Sequence, residues 1–454
     1  MQNRKKQMDG SILAVIQEMN ERLPVQESYD IIQRNITIGG RTSVLYFVDG
    51  FTKDEALMRI MPSFFEVTVD KMPKTAEEFA ENYLPYAEVD FLTEYTQIVK
   101  NVLSGVTCLF IDMYDTCIAI DCRTYPVRGV EEPQKDKSLR GSRDGFVETI
   151  VFNTALIRRR IRSNELIMEM KEVGTASKSD VAICYMKDRV NSELLLKIKD
   201  KIDSLQIDAL PMNQQSLANA LYTRKWFNPF PKFKFTERPD TTAECLLEGK
   251  VVILVDNSPS AMILPTSIFD LLEEANDYYF PTITNVYLKF TRAIITFMTL
   301  YLTPIFVLLT MNPSWVPESL SFILIQDELN VPIVWQLLIL ETAIDGLKLA
   351  AINSPSMLST PLSVVAGIVL GQFSVSSGWF NAEIMLYMAF VAVANYTQPN
   401  FELGYALKFM RLILLILTGI FGTWGFVVGV AISLSGVLFN KTLTGRSYLN
   451  ISKN

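Results

Sequence analysis

Three ionisable side chains stand in a stretch of chain that is otherwise apolar. In VPIVWQLLILETAIDGLKLAAIN, Glu341, Asp345 and Lys348 fall at i, i+4 and i+7, so all three share one face of a helix. A charge at the centre of a bilayer costs at least about 2.5–3.5 kcal/mol on insertion scales, so such residues face a cavity, a partner helix or a water path. If several copies of the chain surround an axis, Glu341 and Asp345 each form a ring of carboxylates that attracts cations. The alternative is an internal ion pair in which Lys348 neutralises Asp345 or Glu341. Gln372, with Ser374, Ser376 and Ser377, would add polar lining from the next segment. A second concentration of charge is RGSRDGFVETIVFNTALIRRRIR at 140–162. Arg158, Arg159, Arg160 and Arg162 end a predicted helix whose start carries Asp144 and Glu148, the order a helix dipole favours. With Arg140 and Arg143 they form a candidate contact for phosphate, lipid headgroups or a neighbouring subunit. The plainer reading is an acid-first, base-last helix that pairs with surrounding carboxylates.

Other chemistry is excluded by what the chain lacks. It has no histidine, which removes every His-based triad, His general base and His metal site. Neither a GxxxxGK[ST] nor a GxGxxG phosphate loop occurs, and there is no G-x-S-x-G elbow. The cysteines Cys108, Cys117, Cys122, Cys184 and Cys245 are scattered without a CxxC pair, which points to a reducing compartment and no metal site. An acidic balance of −7 argues against nucleic acid as a partner. The expectation is a protein without cofactor that is not an enzyme.

The elements that must hold these residues divide into two kinds. Beyond residue 290 the chain has only 7 of its 42 Lys+Arg and 7 of its 49 Asp+Glu, so the net charge lies wholly in the first part. That contrast predicts a charged cytoplasmic α+β region of two subdomains, 28–128 and 129–290, after an amphipathic segment 1–27. An α-helical polytopic membrane domain of five or six helices follows over 291–440, with a cytoplasmic tail at 441–454. Candidate spans are 293–311, 332–352, 361–378, 382–397, 404–421 and 423–439, the last two separated only by Gly422-Thr423. Lys408 with Arg411, and Lys441, Arg446 and Lys453 in the tail, read as inside markers, which places both termini in the cytoplasm. In the first part, strands are expected around Gly39-Gly40 within 35–48, as a hairpin over 106–120, and at 180–186, 251–255 and 262–264. Helices are expected at 53–65, 76–83, 91–103, 145–163, 191–203 and 266–277. No internal repeat is visible.

Long blocks in a fixed order carry a family resemblance over 28–446: YPVRGVEEPQ at 125–134, residues 140–162, TERPD at 236–240, EGKVVILVDNSPSAMILPT at 248–266 and SPSMLSTPLSVVAGIVLGQ at 354–372. Together they resemble the spore germinant receptor A-subunit (GerA) family, and TQPNFELGYALKFMRLILLILTG at 397–419 is similar to its stage V sporulation AF branch. Where nutrient-sensing A subunits carry an REAG-R-P stretch, this chain has GLKLAAINSP at 346–355. The resemblance implies an inner spore membrane protein of germination, an oligomeric cation channel of five subunits that amplifies release of monovalent cations together with a small membrane partner. A non-conducting scaffold that organises germinant receptor subunits, or a nutrient-sensing A subunit, is the competing implication. The residue reading and the resemblance meet at Glu341 and Asp345.

Overall fold

The computed structural model describes residues 8, 10–52, 54–85, 88–124, 141–222, 227–353, 364, 367–442 and 448–449. The block at 125–134, Arg140, most of the block at 354–372, and Arg446 and Lys453 of the tail lie outside them. The chain divides into two compact units, residues 1–223 with 233–265, and residues 224–232 with 266–454.

The first unit is α+β and holds two antiparallel five-stranded sheets. Helix α1 (Ile12–Arg22) precedes the hairpin β1 (Ile31–Ile38) and β2 (Arg41–Val48), followed by α2 (Asp54–Phe65), α3 (Ala76–Tyr83), β3 (Val89–Leu92), α4 (Tyr95–Leu103), β4 (Thr107–Ile111) and β5 (Cys117–Ile120). Gly39 and Gly40 close the first hairpin with φ of +53° and +76°. Two successive positive φ values make the two-residue turn whose twist matches its strands, and glycine adopts them without strain. Sheet order is β1-β2-β4-β5-β3. Met8, Ile12, Val15 and Met19 pack under this sheet with Val44, Tyr46, Ile98 and Val102, so the amphipathic N-terminal helix belongs to the core beneath it.

The second half repeats that plan element for element. Helix α5 (Ile150–Arg160) precedes β6 (Leu166–Val173) and β7 (Ser179–Met186); α6 (Ser192–Asp203), α7 (Asn213–Leu221), β8 (Lys234–Thr236) and α8 (Pro239–Leu247) lead to β9 (Val251–Val255) and β10 (Ala261–Leu264). Its sheet order, β6-β7-β9-β10-β8, is the first order again. The repeat is one of topology, which explains why the residues themselves did not display it. Strands β3, β6 and β8 and helices α7 and α8 escaped the sequence reading. All three strands lie at sheet edges, where a half-covered strand has no continuous apolar run to mark it.

A buried ion pair ties the halves together. Arg158 and Asp30 are 0% and 2% exposed, with Arg158 Nε donating to Asp30 Oδ2 at 2.7 Å and Nη2 to Oδ1 at 3.0 Å. The guanidinium also donates to Ser163 O, Ser28 Oγ and Leu166 O. Buried charge is tolerable only when its hydrogen-bonding capacity is filled in this way. Replacing Arg158 by Met strands the Asp30 carboxylate and is expected to lower unfolding free energy by about 3–5 kcal/mol, whereas Asp30→Leu with Arg158→Met recovers part of the loss. Urea unfolding of wild type and the two variants checks this.

The second unit is helical. After α9 (Ile268–Leu272) come α10 (Thr282–Met311), α11 (Ile333–Asn353), a wide-turned segment Gly367–Phe373 continued by Ser374–Ser376, α12 (Ala382–Tyr396) and α13 (Phe401–Leu438). The stretch expected as one helix over 266–277 does not form one. It breaks after Leu272 into a 3-10 turn, Ala275–Tyr278. Helices α10 and α13 are long and apolar enough to cross a membrane, yet only 33% and 28% of their most apolar windows are buried. A core helix of a soluble protein would be mostly covered; these carry their apolar side chains outward.

Helix α13 is a hairpin of two arms. Gly422 has φ +57° and ψ −131°, outside helical space. In a straight helix residues 414 and 429 would stand about 22 Å apart, but a Cβ on Gly429 would lie 3.1 Å from Leu414 Cα, and one on Gly425 would collide with Leu417 O. The arms, 401–421 and 423–438, therefore run back against each other, with glycine at the points of closest approach. This is the two-segment reading of 404–439, with the reversal at Gly422.

Candidate functional site

Within the helical unit, charge is concentrated where α10, α11 and α13 meet. Glu341 and Asp345 sit one turn apart on α11, and Lys408 and Arg411 three residues apart on the first arm of α13. Arg411 Nη2 is 2.7 Å from both Glu341 carboxylate oxygens, while its Nη1 donates to Thr299 O of α10 at 2.8 Å. Lys408 Nζ lies 2.9 Å from Glu341 Oε1 and also bonds Asp345 Oδ2. Two acids and two bases make a neutral quartet. The Glu341, Lys408 and Arg411 side chains are 9%, 4% and 2% exposed, against 31% for Asp345. Asp345 is thus the open edge of the quartet, and its Oδ1 is buried without a hydrogen bond among the described residues.

Local sequence explains the placement. The first arm of α13 starts at the Asn400 cap, whose side chain accepts from Leu403 N. From there Leu403, Ala406, Leu407, Met410, Leu414 and Leu415 form one buried face, and Lys408 and Arg411 are carried inward beside it. On α10 the hydroxyls of Thr296 and Thr299 bond back to Arg292 O and Ile295 O, and Thr299 O accepts from Arg411 Nη1.

Two expectations change here. The bases that pair with Glu341 and Asp345 are Lys408 and Arg411, and Lys348 makes no ion pair with either acid among the described residues: its ammonium lies 4.4 Å from the centroid of the Tyr396 ring and 6.0 Å from that of Tyr405. A buried ammonium over an aromatic face gains the attraction of the ring quadrupole. Lys408 and Arg411, read as markers of an inner loop, lie inside a helix and are 3% and 2% exposed. The overlooked signal was their own position in an apolar run, which demands partners as strictly as it does for Glu341. Gln372 lies on the wide-turned segment, exposed and outside the quartet.

The arginine block at 140–162 separates into different roles. Arg158 is the buried link to Asp30 described above and cannot meet an external anion. Arg160 donates to Asp144 Oδ1 at 2.6 Å and to Ser142 Oγ at 3.0 Å. Burial alone would raise the Asp144 carboxyl, but these bonds outweigh it and hold the group below its ordinary value. Arg143, Arg159 and Arg162 are exposed. The neighbouring motifs converge on α5: Asp256 of VDNSPS accepts from Ile150 N at 3.1 Å, and Arg238 of TERPD, fully buried, bonds Asp240 and Ser142 O. These blocks hold the second sheet to its helices.

Removing one member of the quartet leaves charge uncompensated. Arg411→Leu is expected to cost about 3–5 kcal/mol, and the double change Glu341→Leu, Arg411→Leu to restore most of it. Thermal unfolding in detergent separates the two outcomes.

Residues 17–453 match the family model described as Bacillus/Clostridium GerA spore germination protein. Stage V sporulation protein AF of Bacillus subtilis (strain 168) is 34% identical over 424 residues, spanning 93% of this chain and 86% of that protein. The uncharacterized membrane protein YfkQ of the same organism is 28% identical, with 89% and 79% covered, and its spore germination protein KA is 26% identical, with 89% and 76% covered. The crystal structure of the N-terminal domain of the A subunit of the Bacillus megaterium spore germinant receptor GerK3 overlaps 57% of this chain and 97% of that one, at 21% identity and a TM-score of 0.44.

Proposed function

The chain belongs to the Bacillus/Clostridium GerA spore germination protein family, and from that premise we propose that it is a cation-conducting subunit of a homo-oligomer in the inner spore membrane, with its α+β unit in the cytoplasm. In this reading it releases monovalent cations and amplifies germination, together with a small membrane partner and near the germinant receptor subunits. The observation that carries it is Asp345, a carboxylate at the edge of a charge quartet inside apolar helices, with Oδ1 left unbonded. That oxygen is buried as the helices stand; once Lys408 moves away, Asp345 supplies an uncompensated carboxylate, and a ring of such groups around an axis attracts cations over anions. Outward apolar surface on α10 and α13 supports the membrane setting.

The quartet as it stands is neutral, which describes a closed arrangement. Conduction then requires Lys408 to leave Asp345. The same neutrality favours a second reading, in which the quartet is only a clamp and the protein is a non-conducting scaffold for receptor clusters.

Potassium efflux from liposomes that contain the purified protein decides between them. Asp345→Asn removes the least buried charge and is expected to insert and assemble normally while changing efflux several-fold. Equal efflux from wild type and variant takes Asp345 out of the pathway; no efflux from either leaves the scaffold.

A further inference from the structure

Beyond α13, Tyr448 seats its side chain in the helical unit. Tyr448 is fully buried in a cluster with Phe230, Leu271, Leu403, Ala406, Leu407 and Met410. Its ring meets Phe230 edge-on at 6.1 Å, an arrangement aromatic pairs favour. Its hydroxyl donates to Pro231 O at 2.9 Å, its amide to Asn440 O at 3.0 Å, and its carbonyl accepts from Ile268 N at 3.0 Å. Beside it the buried Lys232 ammonium donates to Asn440 Oδ1 and, at 2.6 Å, to Lys441 O. A cation there also suits the negative end of the second arm of α13.

These contacts bind both ends of the α13 hairpin at once. Leu403, Ala406, Leu407 and Met410 belong to the beginning of its first arm, Asn440 follows the end of its second, and residues 230–232 join them through Tyr448 and Lys232. Lys408 and Arg411 are interleaved with the residues that Tyr448 packs against, so an arm held at Leu407 and Met410 holds the quartet bases opposite Glu341 and Asp345. Segment 230–232 continues directly into β8, and Ile268 follows β10 by four residues.

We infer that Tyr448 anchors an intramolecular strap: it plugs the base of α13 and keeps the quartet closed, and its release frees Lys408 and Arg411 to move. This rests on the channel reading for its consequence, but the strap itself has a readout that does not depend on conduction. A strap differs from ordinary terminal packing because its loss raises activity instead of abolishing it. A minor open state populated at roughly 0.1–1% gains about tenfold when a contact that favours the closed state by a factor of about ten is removed.

The test compares wild type, Tyr448→Ala and Tyr448→Phe in two measurements, potassium efflux from liposomes and hydrogen exchange of backbone amides at Ile268 and over 401–411. For Tyr448→Ala the expected result is faster exchange at both places and basal efflux up about tenfold; Tyr448→Phe, which keeps the ring and loses only the Pro231 bond, stays near wild type. Faster exchange with efflux unchanged from a conducting wild type overturns the strap, as does unchanged exchange. Faster exchange with no efflux from any variant upholds the tie and removes the channel reading instead.

Discussion

The helical unit is organised by the requirement that four charges cancel in an apolar setting. Glu341 cannot be buried on α11 unless Arg411 and Lys408 reach it from α13, and Arg411 fills its remaining capacity on Thr299 O of α10. Three helices are thereby held in one register, because moving any of them by a turn separates groups now 2.7–2.9 Å apart. Apolar packing alone is permissive about such shifts; hydrogen-bonded charge is not. The tight hairpin of α13 makes the same demand by other means, since Gly425 and Gly429 let the second arm brace the first along the stretch that follows the quartet bases.

The α+β unit obeys a comparable rule on a different scaffold. Two copies of one topology are stitched through Arg158 and Asp30, so the segment before β1 is bound to the helix that begins the second copy. Tyr29 adds a bond to Thr154 of 2.5 Å, and Ala155 of α5 joins the core under the first sheet. Each copy also covers its sheet with helices, and the central strands β4, β5, β9 and β10 are buried along their whole length. All five cysteines are buried within these cores; the thiol of Cys184 is pushed above its ordinary value by burial, which keeps it an inert packing group.

Much of this was legible beforehand, and the failures have physical causes. Hairpins around Gly39-Gly40 and Tyr114-Asp115 announced themselves because turn residues interrupt strongly apolar, β-branched runs. Strand β6 did not, because the adjacent charges Lys171 and Glu172 break the alternation in its second half, at a sheet edge. Helix α5 begins at Ile150, later than its apolar periodicity suggests. Asn153 bonds Val147 N and O and so fixes the preceding residues in an extended course. At the quartet, the spacing of Glu341 and Asp345 identified one face of one helix, but the partners lie more than sixty residues away.

By itself the sequence determined composition and periodicity: a charged α+β part, an apolar helical part, and a few polar groups in the latter that had to be compensated. Those are properties of single segments, set by hydrophobic pattern and local backbone preference. Only the tertiary structure decided which charges compensate which, that Arg158 is a buried tie while Arg143 stays exposed, and that Tyr448 returns to the start of α13. Such pairings depend on distances between segments far apart in the chain, and a charge carries no label for its partner until folding excludes water and leaves one counter-charge within reach.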